Sequence, residues 1–187
     1  MSKPVIDKQS RITLKSIKHL ERASQKSTYF QAFVYLDGKK AMNAFNDGKG
    51  FRNEYWEFDG QSIPDFLEML TKCTKCGGDF MRAHGDLTMV VDDEVIDLSG
   101  LPDQELLDCL IQDLLNEHFC LKKMKESLKS GIVIFDIKEN IIFSFQLKPT
   151  DIAMSLCKET YSDESHNWIY LNDLSQQEAF KLWRKST

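Results

Sequence analysis

Residues 28–45, TYFQAFVYLDGKKAMNAF, decide how the first half of this chain folds. The stretch 28–36 is rich in aromatic and β-branched residues, a composition that favours a β-strand. Asp37-Gly38 follows it, and both residues tolerate the positive φ angles that a type I′ hairpin turn requires. Residues 39–45 then return as the partner strand. The sequence therefore predicts a β-hairpin that turns at Asp37-Gly38.

Two further segments extend this hairpin into a sheet. In residues 11–20, Ile12 and Leu14 alternate with polar or charged neighbours, which is typical of a half-buried strand. In residues 53–58, aromatic and charged side chains alternate in the same way. We therefore expect an N-terminal antiparallel sheet whose strands span about 11–20, 28–36, 39–45 and 53–58.

The rest of the chain predicts helices and short strands. Ser62 can cap a helix over about 62–72. A long central helix is expected over about 103–129, where leucine and isoleucine side chains form an apolar stripe at helical spacing. The remaining expected elements are strands near 87–91 and 95–96, a C-terminal hairpin at 132–146, a short helix near 149–158, a strand near 168–171 and a terminal helix opened by the capping box Ser175–Glu178. The fold class is therefore α+β.

Length and composition are those of an ordinary globular protein. The chain has 187 residues, of which 42% are hydrophobic and 28% charged, and this suits one domain with a real core. We expect a flexible N-terminus at 1–10 and a single α+β domain over 11–187, with a subdivision near 98–102 as the alternative. No apolar run approaches the roughly 20 residues that cross a bilayer, so no membrane association is expected.

The start of the chain lacks the apolar stretch of a secretory signal. We therefore expect a cytoplasmic location. The five cysteines are scattered and odd in number, so we expect them to be reduced thiols and not a disulfide framework.

Charge is distributed unevenly along the chain. Residues 1–50 contain ten Lys or Arg against four Asp or Glu, whereas residues 79–117 contain eleven acidic residues and one base, Arg82. So acidic a segment repels nucleic-acid phosphates and attracts a basic protein surface. The alternative is a solvated helix face and loop with no binding role. The candidate binding residues are Asp92, Asp93, Glu94, Asp97, Glu105, Asp108, Asp113 and Glu117.

The polar loop Asn46-Asp47-Gly48-Lys49-Gly50 is a second candidate. Two glycines beside an Asn-Asp pair can turn backbone N–H groups inward to form an anion-binding nest, to which Lys49 would add charge. A nucleotide-binding loop needs a helix directly after the glycines, whereas a strand-like stretch follows here. The alternative is a hairpin connection whose glycines supply positive φ angles.

The third candidate is a metal site. Cys73 and Cys76 are two residues apart and precede Gly77-Gly78, a spacing that can form a knuckle around zinc, with His84 as a further ligand. No other cofactor is indicated, and a second Cys-x-x-Cys is missing from the sequence. A related interpretation uses the acidic side chains near His84 to hold Mg²⁺ for phosphodiester cleavage. Its residues are His84, Asp86, Asp92, Asp93, Glu94 and Asp97.

A fourth feature is the combination of aromatic and basic residues in the N-terminal sheet. Such side chains can form a stacking platform for nucleic acid, although alternation along a strand would turn about half of them into the core. The aromatic residues are Tyr29, Phe30, Tyr35, Tyr55, Trp56 and Phe58. The basic residues are Lys15, Lys18, Lys39, Lys40 and Arg52.

Three stretches of this sequence resemble an uncharacterised family of small phage, prophage and plasmid proteins: Lys15-Ser16-Ile17-Lys18, residues 29–40 and the loop Asn46–Gly50. Members of that family begin with a hairpin followed by an Asn-Asp-Gly-x-Gly-Gly-like loop. Phe51 stands here in place of the last glycine. The resemblance covers about the first 60 residues, and it implies a mobile-element origin without an established activity.

Together these features favour an interaction protein over an enzyme, because the sequence offers no complete catalytic set. We expect a mobile-element protein that binds and modulates or inhibits a host protein with a basic surface, such as a defence or nucleic-acid-handling factor. The alternative is a zinc- or Mg-dependent nucleic-acid-binding protein or nuclease. Direct nucleic-acid binding through residues 1–52 is a further, weaker interpretation.

Overall fold

The structure, a computed structural model, describes residues 11–50, 52–85, 87–91, 94–161 and 167–186. The expected flexible N-terminus, residues 1–10, lies outside these ranges. The chain is α+β, as predicted. The strands are β1 Ile12–His19, β2 Phe30–Leu36, β3 Lys39–Asn46, β4 Glu54–Trp56, β5 Thr88–Val91, β6 Glu94–Asp97, β7 Ile132–Asp136, β8 Ile141–Phe145 and β9 Trp168–Tyr170. The helices are α1 Ile63–His84, α2 Asp103–Ser130, α3 Asp151–Thr160 and α4 Gln176–Trp183.

The N-terminal sheet has the strand order β1-β2-β3-β4, and every neighbouring pair is antiparallel, as predicted. The hairpin between β2 and β3 turns at Asp37 and Gly38, whose φ angles of 50° and 78° are both positive. These angles confirm the turn type expected from Asp-Gly. Only β4 is clearly shorter than its predicted span of 53–58.

One face of this sheet is apolar and packs against helices. Alternate residues of β2 are buried, namely Phe30, Ala32, Val34 and Leu36. Helix α1 contacts β1 and β3, and the first half of α2 approaches β4, where Tyr55 bonds to Asp108. The alternation that predicted a half-buried sheet therefore places its apolar side chains on the helix-covered face.

Helix α1 ends at His84, twelve residues beyond its predicted C-terminus at residue 72. Its start is as expected, since Ser62 accepts a hydrogen bond from the Asp65 N–H. The helix continues through Gly77 because the neighbouring α2 lies very close there. A Cβ atom at Gly77 would stand 2.9 Å from the Cδ1 atom of Leu107. Helix–helix packing therefore compensates for the low helix propensity of glycine.

Strands β5 and β6 form a two-stranded sheet, and a three-stranded sheet has the order β8-β7-β9. The three-stranded sheet is covered on both faces. On one face, Val133 and Phe135 pack with Met124 and the terminal helix. On the other face, Ile132 and Ile134 pack with Cys157 of α3. Both faces of β7 are buried, which accounts for its continuous apolar sequence. The capping box between Ser175 and Glu178 is present at α4.

The described residues group into two compact units, one ending at Glu117 and the other beginning at His118, so that α2 contributes to both. The single domain expected over 11–187 stays a prediction, since proximity of residues does not measure independent folding. Among the described residues, no helix combines the length and hydropathy that a membrane span requires.

Candidate functional site

The outward face of the N-terminal sheet carries aromatic rings beside lysines. Residues paired across neighbouring antiparallel strands share a face. Phe33 on β2 is paired with Lys15 on β1 and with Asn43 on β3, and Asn43 is paired in turn with Trp56 on β4. The adjacent rows follow the same register. We call this surface the aromatic–lysine face, and define it by Lys15, Lys18, Lys40, Phe33, Tyr35, Phe45 and Trp56.

Two β-bulges place the lysines on this face. The register of β1 shifts between Lys15 and Lys18, where Ser16 has a φ angle of 52°. Because of the extra residue, Lys15 and Lys18 point to the same side although they are three positions apart. A second shift in β3 does the same for Lys40 and Asn43. Simple alternation would have sent one residue of each pair into the core.

The lysine ammonium groups lie directly over aromatic rings. The Lys40 Nζ atom is 3.5 Å from the centroid of Phe33 and 4.3 Å from that of Phe58, and the Lys15 Nζ atom is 4.3 Å from that of Tyr35. Each pair is a cation–π contact. The charged ammonium group of a lysine remains solvated. Because these ammonium groups lie over the rings, the contacted ring faces point away from the core.

A row of rings continues across the sheet from Tyr29 to Trp56. The Phe45 centroid is 5.6 Å from that of Tyr29 and 5.6 Å from that of Trp56. Asn43 lies beside this row and is 8% exposed. Its Nδ2 atom donates to the Glu57 carbonyl at 2.7 Å, whereas its Oδ1 atom has no hydrogen-bond partner among the described residues.

Hydrogen bonds to other groups of the same chain fix the conformation of the glycine loop Asn46–Gly50. The N–H groups of Gly48, Lys49 and Gly50 donate to side-chain oxygens of Asn46, Asp47 and Ser27 at 2.9, 2.9 and 3.0 Å. The Gly48 carbonyl accepts the N–H groups of residues 25, 26 and 27. These donors are already occupied and do not face an external anion. The geometry therefore favours a hairpin connection over an anion nest.

Three of the acidic residues expected to form one binding patch are engaged or buried within the N-terminal unit. Glu105 is ion-paired with Arg52 at 2.5 Å, Asp108 accepts a hydrogen bond from Tyr55, and Glu117 is only 5% exposed. These three side chains are therefore less available to a partner than an exposed acidic face requires, and the binding patch as a whole stays a prediction. The reason is that α2 is covered by α1 on one side and by residues 52–55 on another.

The other residues of that patch are placed differently. Asp113 is half-buried on α2. Asp97 is exposed, and hydrogen bonds from the Ser99 N–H and hydroxyl groups, at 2.8 and 2.9 Å, lower the pKa of its carboxyl group. Asp92, Asp93 and the side chain of Glu94 lie outside the described part of the chain.

The expected metal ligands Cys73, Cys76 and His84 all lie on α1. The sharp turn that a zinc knuckle needs is not formed, because residues 73–78 continue as a helix. His84 is eight residues beyond Cys76, roughly 12 Å along a helix axis at about 1.5 Å per residue. Burial raises the pKa of Cys73 to about 12, which disfavours the thiolate that zinc binds. Among the described residues, no three His, Cys, Asp or Glu side chains are grouped to hold a metal; Asp86 lies outside them.

The second unit exposes an apolar stripe on α3. Ile152 and Leu156 are one helical turn apart, and they are 82% and 61% exposed. The opposite side of the same helix packs on the sheet through Ala153, Met154 and Cys157. We call Ile152 and Leu156 the α3 outer face. Leu147, before the helix, and Tyr161, at its end, are exposed as well.

Sequence reasoning found only part of these surfaces. Among the six aromatic residues considered above, Phe30 and Tyr55 belong to the helix-covered face. Phe33 and Phe45 were not singled out. For Phe33 the available signal was its spacing of two residues from Tyr35 in the same strand, which places both side chains on one face. The α3 outer face was missed, since an apolar pair in a short helix usually predicts a buried side.

Comparison with protein-family models, curated protein sequences and solved structures finds no match to this chain.

Proposed function

We propose that this chain is a binding protein encoded by a mobile element, and that it modulates or inhibits a host protein through the α3 outer face. The supporting observation is the exposure of Ile152 and Leu156, one turn apart on a helix whose other side is packed. Large apolar side chains on one exposed stripe are typical of a helix that inserts into a partner's groove.

The charged residues of α3 also indicate what kind of surface the partner would have. Asp151 at the start of the helix and Glu159 near its end are both exposed, one at each end of the apolar stripe. A groove that accepts this stripe would be apolar along its floor and basic at its rim. The host partner is therefore proposed to carry lysine or arginine beside an apolar groove. The resemblance of the first 60 residues to mobile-element proteins supports a host target.

The experiment is capture of the partner from nuclease-treated host extract by the immobilised full chain. The variant Ile152→Ser/Leu156→Ser should lose the captured protein, because serine removes the apolar stripe without disturbing a packed side chain. The matched control is Ile63→Ser/Leu67→Ser on α1, which has the same residues, the same spacing and exposures of 64% and 54%. Equal loss in both variants would show non-specific adhesion and contradict the proposal.

Photo-crosslinking identifies the surface that is bound. A photoreactive phenylalanine at Leu156 should crosslink to a host protein at a segment with apolar and basic residues. The same label at Leu67 should not. Crosslinking of Leu156 to a second copy of this chain would instead show self-association and reject a host partner for this face.

A further inference from the structure

The aromatic–lysine face is not explained by a partner that binds α3, and it has a chemistry of its own. Its three lysines have no ion-pair partner within the part of the chain that the structure describes. The carboxylate in the same register rows is Glu54, on the edge strand β4. The aromatic–lysine face therefore has a net positive charge, although the chain as a whole has a net charge of −5.

We propose that the aromatic–lysine face binds single-stranded nucleic acid, with lysines on the phosphates and rings against unpaired bases. Positively charged groups that track the backbone, combined with aromatic side chains that stack on bases, are the recognition chemistry of single-strand binders. A duplex fits this face poorly, because its bases are already stacked and their faces are inaccessible to a protein ring.

The cation–π contacts show how the surface would change on binding. In this structure, the ammonium groups of Lys15 and Lys40 occupy the outward faces of Tyr35 and Phe33. An incoming base can take the place of each ammonium group on the ring, while the flexible lysine turns to the adjacent phosphate. The two bulges matter here, since they bring Lys15, Lys18 and Lys40 to the side of the sheet that carries the rings.

The dimensions of the face limit the length of the ligand. Four strands span three inter-strand gaps, roughly 14 Å at about 4.8 Å per gap. This distance accommodates two to four nucleotides, roughly the lower end of the site sizes of single-strand binders. Binding is expected to show little sequence preference, because every base has a face that can stack.

The test measures fluorescence anisotropy of labelled 15-nucleotide oligo(dT), oligo(U) and a DNA duplex of the same length, with the full chain at 50 and 200 mM salt. Both single strands or one of them should bind more tightly than the duplex, and the preferred strand identifies DNA or RNA as the ligand. The variant Lys15→Gln/Lys40→Gln should lose more than about tenfold in affinity at 50 mM salt. Its slope of log K against log salt should become shallower by about 1.4, or about 0.7 per phosphate contact.

The matched control is Lys72→Gln/Lys75→Gln on the exposed side of α1, where both lysines are ion-paired with carboxylates. It removes the same two charges from the same unit and should leave the affinity within about twofold. Trp56→Leu should weaken binding by about tenfold through lost stacking, without changing the salt slope.

Several results would overturn the proposal. They are equal loss in the two lysine variants, duplex binding as tight as single-strand binding, and absence of oligonucleotide binding at 50 mM salt. Capture of a protein by this face from nuclease-treated extract, with no oligonucleotide bound, would also reject it. The variant Ile152→Ser/Leu156→Ser should bind oligonucleotide normally, so this proposal and the α3 proposal fail independently.

Discussion

The hydroxyl group of Tyr55 on β4 donates a 2.6 Å hydrogen bond to the carboxylate of Asp108 on α2. This bond joins the helix to the inner face of the sheet in a half-buried position. Burial raises the pKa of Asp108 above its ordinary carboxyl value, and the hydrogen bond from Tyr55 counteracts part of that rise. The pKa of Tyr55 is raised as well, chiefly by burial, so the hydroxyl keeps its proton.

Tyr55→Phe should destabilise the chain at neutral pH by about 1–3 kcal/mol, because Asp108 then remains charged and half-buried without this donor. Urea unfolding at pH 7 measures the change. In an Asp108→Asn background the same substitution should cost less, since no carboxylate is left to lose its partner. Equal costs in the two backgrounds would show that the negative charge of Asp108 adds nothing to the contribution of this hydrogen bond.

Asp108→Asn should change how stability depends on pH. Because the folded pKa of Asp108 lies above the unfolded value near 3.8, the charged carboxylate opposes folding at pH values above the folded pKa. This cost declines as the pH falls and is absent below the unfolded value. The free energy of unfolding of the variant, relative to that of the wild type, should therefore be highest at neutral pH. This relative stability should decrease as the pH is lowered to 4. Urea melts from pH 4 to 8 check the sign, and a difference that grows on acidification would contradict it.

Gly48→Ala should be among the most damaging single substitutions in the N-terminal unit. Gly48 has a φ angle of 78°, and a Cβ atom there would stand 2.2 Å from the Ala23 carbonyl oxygen. The left-handed conformation alone costs about 1–2 kcal/mol for a residue other than glycine. Gly60→Ala is the matched control, because its φ angle is 84° and a Cβ atom would meet nothing within 4 Å. Thermal melting should show a clearly larger loss for Gly48→Ala, and equal losses would remove the steric argument.

Asn172→Ala should destabilise the second unit by about 2–4 kcal/mol, because one side chain satisfies three backbone groups. Its Oδ1 atom accepts the Val133 N–H at 2.7 Å, and its Nδ2 atom donates to the carbonyls of Leu128 and Gly131 at 3.0 and 3.1 Å. Denaturant unfolding followed by tryptophan fluorescence measures the effect. Asn116→Ala, at an exposed position on α2, serves as the control and should change stability little. If Asn172→Ala unfolded at the same denaturant concentration as the wild type, the Asn172 side chain would not stabilise the second unit.

Cys73 should react with alkylating reagents more slowly than Cys76 in the folded chain. Cys73 is fully buried, and its pKa of about 12 leaves almost no thiolate at pH 8. Peptide mapping after a short alkylation identifies the modified positions, and denaturant should abolish the difference. The same preparation tests the zinc interpretation, since bound zinc would protect both cysteines together and a chelator would release them.

The sequence by itself determined the elements that are stabilised by interactions between residues close together in the chain. Asp37-Gly38 sets the first hairpin because only such residues tolerate two positive φ angles. The leucine stripe of residues 106–115 sets α2, and Ser175 with Glu178 sets the start of α4. In each case the deciding contacts lie within a few residues of one another, so a pattern in the chain contains them.

Only the tertiary structure decided the exposure of side chains that meet residues distant in sequence or follow a register shift. Asp108 reads as part of an acidic face, yet it is half-buried against Tyr55, because residues 53 positions apart meet there. Gly77 reads as a helix end, yet α1 continues through it because of its close approach to Leu107. The bulge at Ser16 turns Lys18 to the side of Lys15 against simple alternation. Each outcome depends on packing between elements distant in sequence or on a register shift, and neither is encoded in local spacing.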